Sequence, residues 1–205
     1  MLHLSTVSTT ALELLKQIQS IPEFAELRLV GGTALALQTG HRKSIDLDFF
    51  GIIEFEKLNA NNLFKDFKSV EIIQRSKNIN IYEINEVKVD FVNYTYPWLQ
   101  TAYIEDNIKL AQKKDIAAMK IAAITGRGSK KDFIDLFFLL KEYSLSEILN
   151  FYEEKYFDAS PYLALKSLTF FEDAEHDTNP VMIQKAEWAQ VKKTILKQVK
   201  EYVKR

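Results

Sequence analysis

Cysteine is absent from all 205 residues. Its absence excludes disulfides, thiolate metal sites and a cysteine nucleophile, and it suits a reducing compartment, so a cytoplasmic location is expected. A charge excess of either sign is lacking too: 27 Lys and Arg stand against 28 Asp and Glu, a formal net charge of −1. The molecule as a whole is not a polycation, and any nucleic-acid binding must come from a local patch. No apolar run approaches the length of a bilayer span, no basic-then-apolar leader opens the chain, and no repeat or low-complexity linker interrupts it. Neither a membrane partner nor a signal peptide is expected. What is present is an apolar content of 47%, with fourteen Phe, enough to bury a sizeable core in one domain or two small ones.

The periodicity changes character along the chain. Thr10 and Glu13 have capping-box spacing and predict a helix that ends before Ile21-Pro22. A strand over 25–30, a helix over 33–38, a strand over 45–50, a helix over 55–67 and a strand over 70–75 follow. Two β-branched runs, 79–84 and 87–94, joined by Asn85-Glu86, read as a hairpin. After Pro97-Trp98 the pattern becomes helical: 115–125, then a break at Gly126-Arg127-Gly128, then a helix capped by Ser129 and running to about Tyr143. Ser144 with Glu147 caps another helix towards Lys155, and 161–171 and 188–203 supply two more. The reading is an α+β fold, a mixed sheet with flanking helices followed by a C-terminal helical bundle, with a boundary near residue 97.

The chemistry concentrates in Val30-Gly31-Gly32-Thr33 and Ser44-Ile45-Asp46-Leu47-Asp48-Phe49. A Gly-Gly turn lets backbone approach a ligand closely, and the helix N-terminus behind it favours an anion. By itself such a pair is more often only a turn. Ile45 to Phe50 alternates, so Ile45, Leu47 and Phe49 are expected in the core, with Asp46 and Asp48 together on the opposite face. Two like charges side by side need compensation. Mg²⁺, with Mn²⁺ as the alternative, takes carboxylate oxygens together with substrate phosphates; the bland reading is a solvated strand face. Asp90 shares a face with Lys88 and Val92 on an otherwise apolar strand. An unpaired buried charge is costly, and either Lys88 or a metal shared with Asp46 and Asp48 compensates it.

Gly31-Gly32, the intervening helix, Asp46-Leu47-Asp48 and Asp90 together resemble the DNA polymerase beta-type nucleotidyltransferase superfamily. More narrowly the chain resembles the AbiEii/AbiGii toxin family of nucleotidyltransferases. The residues that carry this are Gly-Gly-Thr-Ala-Leu at 31–35, Arg-Lys-Ser-Ile-Asp-Leu-Asp-Phe at 42–49, Ala-Ala-Met-Lys at 117–120, Lys-Asp-Phe-Ile-Asp-Leu at 131–136 and the run from Leu168 to Glu175. The resemblance implies a catalytic domain over residues 1–97 and a helical domain over 98–205 that closes the nucleotide cleft. It also implies that Lys120 is part of the active site and that an aspartate of the Lys-Asp-x-x-Asp-Leu motif is essential.

Read from the residues alone, Lys120 is a lysine at the edge of an apolar helix, either snorkelling or reaching a phosphate. Asp132 and Asp135 lie three apart and share a helix face; Asp132 also fits a cap, and the choice between them stays open. Arg127, Lys130 and Lys131 form a basic corner that meets triphosphate, meets RNA backbone or is simply solvated. Arg42 pairs with phosphate or with Asp48, and Ser44 hydrogen-bonds near the metal. His3, His41 and His176 stand apart from one another and read as non-ligands. The last helix has a basic face that lies on RNA, on a partner or in water.

The expected activity is transfer of a nucleotide from an NTP to a hydroxyl of RNA (tRNA included) or protein, with release of pyrophosphate. Asp46, Asp48 and Asp90 hold the metal, Gly31, Gly32, Thr33, Arg42, Ser44 and Arg127 hold the nucleotide, and Lys120, Asp132 and Asp135 complete the catalytic set. The resemblance adds a role as the toxin of a toxin–antitoxin or phage-resistance system with a cognate antitoxin protein. The alternatives are a non-catalytic nucleotide- or partner-binding module of the same fold and a phosphodiester hydrolase.

Overall fold

A computed structural model describes residues 1–58 and 60–204, without the side chains of residues 60 and 61. The chain forms two compact units. The first comprises Met1–Gln38, Lys43–Thr95 and Ala102–Ala111; the second comprises Thr39–Arg42, Tyr96–Thr101 and Gln112–Arg205.

The first unit is built on one sheet. Helix α1 spans Thr9–Gln19, strand β1 Arg28–Leu29, helix α2 Gly31–Thr39 and strand β2 Leu47–Gly51. The short helix α3 spans Ala60–Leu63, followed by β3 over Val70–Arg75, β4 over Ile79–Ile84 and β5 over Val87–Asn93. Strands β6 (Tyr103–Glu105) and β7 (Ile108–Leu110) complete seven strands in the order β3-β4-β5-β2-β1-β7-β6. Strand β2 runs parallel to β5 and antiparallel to β1, so the sheet is mixed. Its helix-covered face carries Phe24, Phe49, Phe55, Phe64, Tyr82 and Phe91, with ring centroids 4.8 Å apart for Phe24–Phe91 and 5.0 Å for Phe64–Tyr82. Full burial of an aromatic side chain contributes roughly 1.5–3 kcal/mol, so this cluster adds substantially to the unit's cohesion.

The second unit is helical. Helix α4 spans Lys113–Gly126, α5 Lys130–Leu139, α6 Leu145–Lys155, α7 Pro161–Ser167, α8 Glu172–Glu175 and α9 Trp188–Val203. Helix α4 packs on α5, α6 and α7, and α9 on α5 and α6. A buried ion pair fastens the 96–101 segment to the bundle. Lys155 Nζ lies 2.7 Å from Asp115 Oδ1, donates to the Pro97 carbonyl at 2.7 Å and sits 4.5 Å over the Trp98 ring. Asp115 in turn accepts from the Leu99 and Gln100 amides at 2.9 and 3.2 Å. Both charges are fully buried, so the extra hydrogen bonds are what make the pair tolerable. Among the described residues no helix is long and apolar enough to cross a membrane.

The α+β layout with a C-terminal helical region agrees with the sequence reading, and several details differ. Helix α1 is capped by Ser8, whose hydroxyl accepts from the Ala11 amide at 3.1 Å, two residues ahead of the Thr10–Glu13 box. The predicted 55–67 helix is a 3-10 turn over Phe55–Lys57 and the short α3; it runs through Asn59, which lies outside the described residues, as does Arg205 at the end of the basic face. Strands β6 and β7 were not anticipated. They form a tight hairpin turned at Asp106-Asn107, both at positive φ, and β7 adds to the sheet beside β1. The Ser144–Glu147 capping box is present as expected.

Candidate active site

Gly31 opens α2 at φ +67°, a conformation that suits glycine. A Cβ built there would lie 2.4 Å from Asp48 Oδ2, so the glycine backbone forms one wall around that carboxylate. The Val30 amide donates to the Asp48 carbonyl at 2.8 Å and fixes the strand at the same place. The first-turn amides of α2 have no partner within the helix, and they lie at its positive end. Thr33 is buried, and its hydroxyl contacts Ser44 Oγ at 2.8 Å and the Asp46 carbonyl, tying the glycine turn to the acidic segment.

Asp48 of β2 is the register partner of Asp90 of β5. Leu47 and Phe49 are buried on one side of β2, and Val89 and Phe91 do the same on β5. Asp48 and Asp90 therefore stand side by side on the other face, each half-buried. Like charges directly opposite destabilise a sheet pair. Lys88 offsets part of this: its Nζ lies 2.8 and 2.9 Å from the two Asp90 oxygens, with 44% of its side chain exposed. Asp46 precedes β2, which begins only at Leu47, and Ile45 is 69% exposed. The alternation expected from residue 45 onward starts two residues later, because the segment before Leu47 leaves the sheet.

Two adjacent carboxylates beside a glycine wall form a hard-oxygen donor set, which suits Mg²⁺ or Mn²⁺. The cradle around Asp48 leaves no space for a side chain at residue 31, and the counter-charge on Asp90 comes from a solvent-exposed lysine. Among the described residues no three His, Asp or Glu side chains form a ready-made metal-ligand set.

The second unit holds a separate buried ionic cluster. Asp135 is fully buried and receives three partners: His41 Nε2 at 2.8 Å, the Arg42 guanidinium at 2.7 and 2.9 Å, and Lys120 Nζ at 2.6 Å. Asp132, also fully buried, takes Lys120 Nζ at 2.9 Å, Arg127 Nε at 2.9 Å and the Ser129 hydroxyl at 2.6 Å. Burial raises both carboxyls, but Lys120 and Arg42 at Asp135, and Lys120 and Arg127 at Asp132, outweigh it and hold both well below the usual carboxylate range. Burial works against the Lys120 ammonium, and Asp135 and Asp132 reverse it, so the lysine stays charged. Burial also pushes the His41 imidazole below its ordinary value despite Asp135. The carboxylate only accepts, so Nε2 carries the proton and Nδ1 accepts from the Thr39 hydroxyl at 2.6 Å. Within this set three cations face two carboxylates, and Arg127, with its side chain 62% exposed, is the cation that water reaches.

The sequence motif around residues 31–49 is thus divided. Gly31, Gly32, Thr33, Ser44, Asp46 and Asp48 belong to the first unit with Asp90, whereas Arg42 belongs to the second with Lys120, Arg127, Asp132 and Asp135. The 39–42 segment is held there by 182–184: Ile183 and Gln184 amides donate to the His41 carbonyl at 2.9 Å each. Arg42 is bidentate on Asp135 rather than paired only with phosphate or Asp48. His41, read as a non-ligand, is a member of the cluster through its hydrogen bond to Asp135. Nothing local in the sequence signals it, because its partner is 94 residues away.

Comparison with known proteins adds to this geometry. A family model described as nucleotidyl transferase AbiEii toxin, type IV TA system, matches residues 13–204. The uncharacterised protein aq_aa25 of Aquifex aeolicus (strain VF5) is 34% identical over 197 residues, covering 93% of this chain and 95% of that one. The structure of JHP933 from Helicobacter pylori superposes with a TM-score of 0.58 at 19% identity over 97% of this chain and 95% of that chain. The nucleotidyltransferase toxin MenT4 from Mycobacterium tuberculosis H37Rv gives 0.58 at 14% identity over 94% and 84%. At these identities the two structures speak to the fold.

Proposed function

The chain belongs to the nucleotidyl transferase AbiEii toxin family of type IV toxin–antitoxin systems, and from that premise we propose that it transfers a nucleotide from an NTP to a hydroxyl of RNA or protein. The observation that supports this most directly is the neighbouring Asp48–Asp90 pair walled by the Gly31 backbone. An exposed acidic strand face needs no such wall. A site that must seat a triphosphate against carboxylate-held metal does.

In this reading the acceptor oxygen attacks the α-phosphorus, the bond to the bridging oxygen breaks, and pyrophosphate leaves. Asp90 accepts the hydroxyl proton. Asp46, Asp48 and Asp90 are the residues that would hold Mg²⁺, or Mn²⁺ in its place; when bound, the ion supplies positive charge against the triphosphate and the oxygens that gain charge. The amides of Gly31 and Gly32 orient the β- and γ-phosphates at the positive end of α2. Thr33 and Ser44 act as positioning residues, holding the turn and the Asp46 segment in register. Lys120, Asp132 and Asp135 hold Arg42 and Arg127 in fixed orientation within the second unit. Growth arrest on induction, relieved by a cognate antitoxin, is the accompanying biological role.

The test is incubation with each of four α-labelled NTPs, total cellular RNA and Mg²⁺. The expected result is metal-dependent label on a macromolecule, lost in Asp46→Ala. Equal transfer by Asp46→Ala refutes the assignment. Tight NTP binding with no pyrophosphate release identifies a binding module, and release of nucleoside monophosphate identifies a hydrolase.

A further inference from the structure

Helix α9 carries charge that this chemistry does not use. At 100° per residue, Lys193, Lys197, Lys200 and Lys204 fall within about 60° of arc. They form one row roughly 16 Å long on the solvent side, and all four are exposed. The opposite side of the helix, Val191, Ile195 and Val199, is buried against the bundle.

The row works against its own helix. Neighbours at i,i+3 and i,i+4 repel, and each such pair costs about 0.2–0.5 kcal/mol. The C-terminal dipole offsets this for Lys200 and Lys204 but not for Lys193 and Lys197, which lie further from that end. The Glu201 partner of Lys197 is 3.7 Å away in the open, where such pairs are weak. The row is also not part of a general surplus, since the chain carries a net −1. A row of lysines with no arginine and no aromatic fits sequence-independent phosphate contacts. A lipid surface fits less well, because the apolar side a membrane-surface helix would insert is already packed inside the fold.

We propose that the α9 lysine row docks the phosphate backbone of RNA, as the acceptor of the transfer; the acceptor role rests on the reading above, the docking surface does not. The experiment measures fluorescence anisotropy of a labelled mixed-sequence single-stranded RNA, long enough to span the helix, at several salt concentrations. It compares the full chain with the quadruple variant Lys193→Gln, Lys197→Gln, Lys200→Gln, Lys204→Gln. Four lost phosphate contacts reduce the slope of log K against log salt by about 3, at ~0.7 per contact on single strands. NTP binding stays at its wild-type value, and the melting temperature does not fall, because the variant removes the like-charge pairs. An unchanged slope overturns the proposal, as does wild-type protein that fails to bind RNA at low salt. Binding to anionic vesicles or to an acidic protein, lost in the variant while RNA binding is retained, overturns it too. Transfer assays on the wild-type chain, run beside the binding, separate the two readings. RNA bound through the row by wild-type protein that transfers no label leaves the docking surface and removes the transfer. Label transfer to RNA with wild-type KM in the quadruple variant does the reverse.

Discussion

Replacing Gly31 by alanine tests the site at its tightest point. Two costs are readable from the structure. The backbone stands at φ +67°, where a side chain costs roughly 1–2 kcal/mol. The new Cβ falls 2.4 Å from Asp48 Oδ2 and 3.2 Å from its Cγ. That is about 1 Å inside normal contact, so the carboxylate must swing away by a similar amount. The stability loss stays modest, because a short side chain on an open face moves instead of the backbone. The effect on catalysis is larger: a displacement of about 1 Å at a reacting centre costs on the order of 100-fold in rate. Gly31→Ala is therefore expected to melt roughly 2–8 °C below wild type and to lose about two orders of magnitude in kcat for label transfer from an α-labelled NTP. Gly126→Ala is the matched control. A Cβ there meets nothing within 4 Å, so both melting and transfer are expected to stay at wild type. Gly31→Ala with kcat within twofold of wild type refutes the argument that this backbone shapes the Asp48 carboxylate.

Asp135→Ala removes the buried carboxylate that His41, Arg42 and Lys120 share and is expected to destabilise the protein by about 3–5 kcal/mol in chemical denaturation, far more than Asp46→Ala at the half-exposed site. A loss below 1 kcal/mol contradicts the burial described. Acid dependence has two components of the same sign. His41 titrates lower in the folded chain than its ordinary 6.5, so the unfolded chain binds its proton first and stability falls as pH drops below about 6.5. Asp132 and Asp135 titrate below their ordinary 3.8, so their contribution is full above that value and is lost further down. Melting temperatures from pH 8 to pH 3 are expected to show both declines, and His41→Gln to remove only the upper one; a wild type flat between pH 7 and pH 5 contradicts the His41 assignment.

Much was legible in the sequence because the signals are local. Alternation at Leu47–Phe49 and Val87–Phe91 marks two half-buried strands wherever they end up. The Ser144–Glu147 box starts a helix by hydrogen bonds within four residues. The Gly31-Gly32 pair states what the backbone permits, whereas the Asp-x-Asp spacing predicted a shared strand face that Asp46, ahead of β2, does not have. The Asp106-Asn107 hairpin was missed because its strands are three residues each, too short for a period to show. Ser8, the cap of α1, was not read from the sequence, because spacing cannot say which hydroxyl reaches an amide.

What the sequence alone determined is most of the elements and the residue types they carry, since these depend on φ, pleat and side-chain chemistry at one place in the chain. Only the tertiary structure decided which charges meet. It placed Asp90 beside Asp48 across parallel strands 42 residues apart in register, and it gave Arg42 and His41 to Asp135. It also showed Lys120 bridging both buried aspartates. A buried charge takes its partner from whatever the packing brings within about 3 Å, and that separation is a property of the fold, not of spacing along the chain.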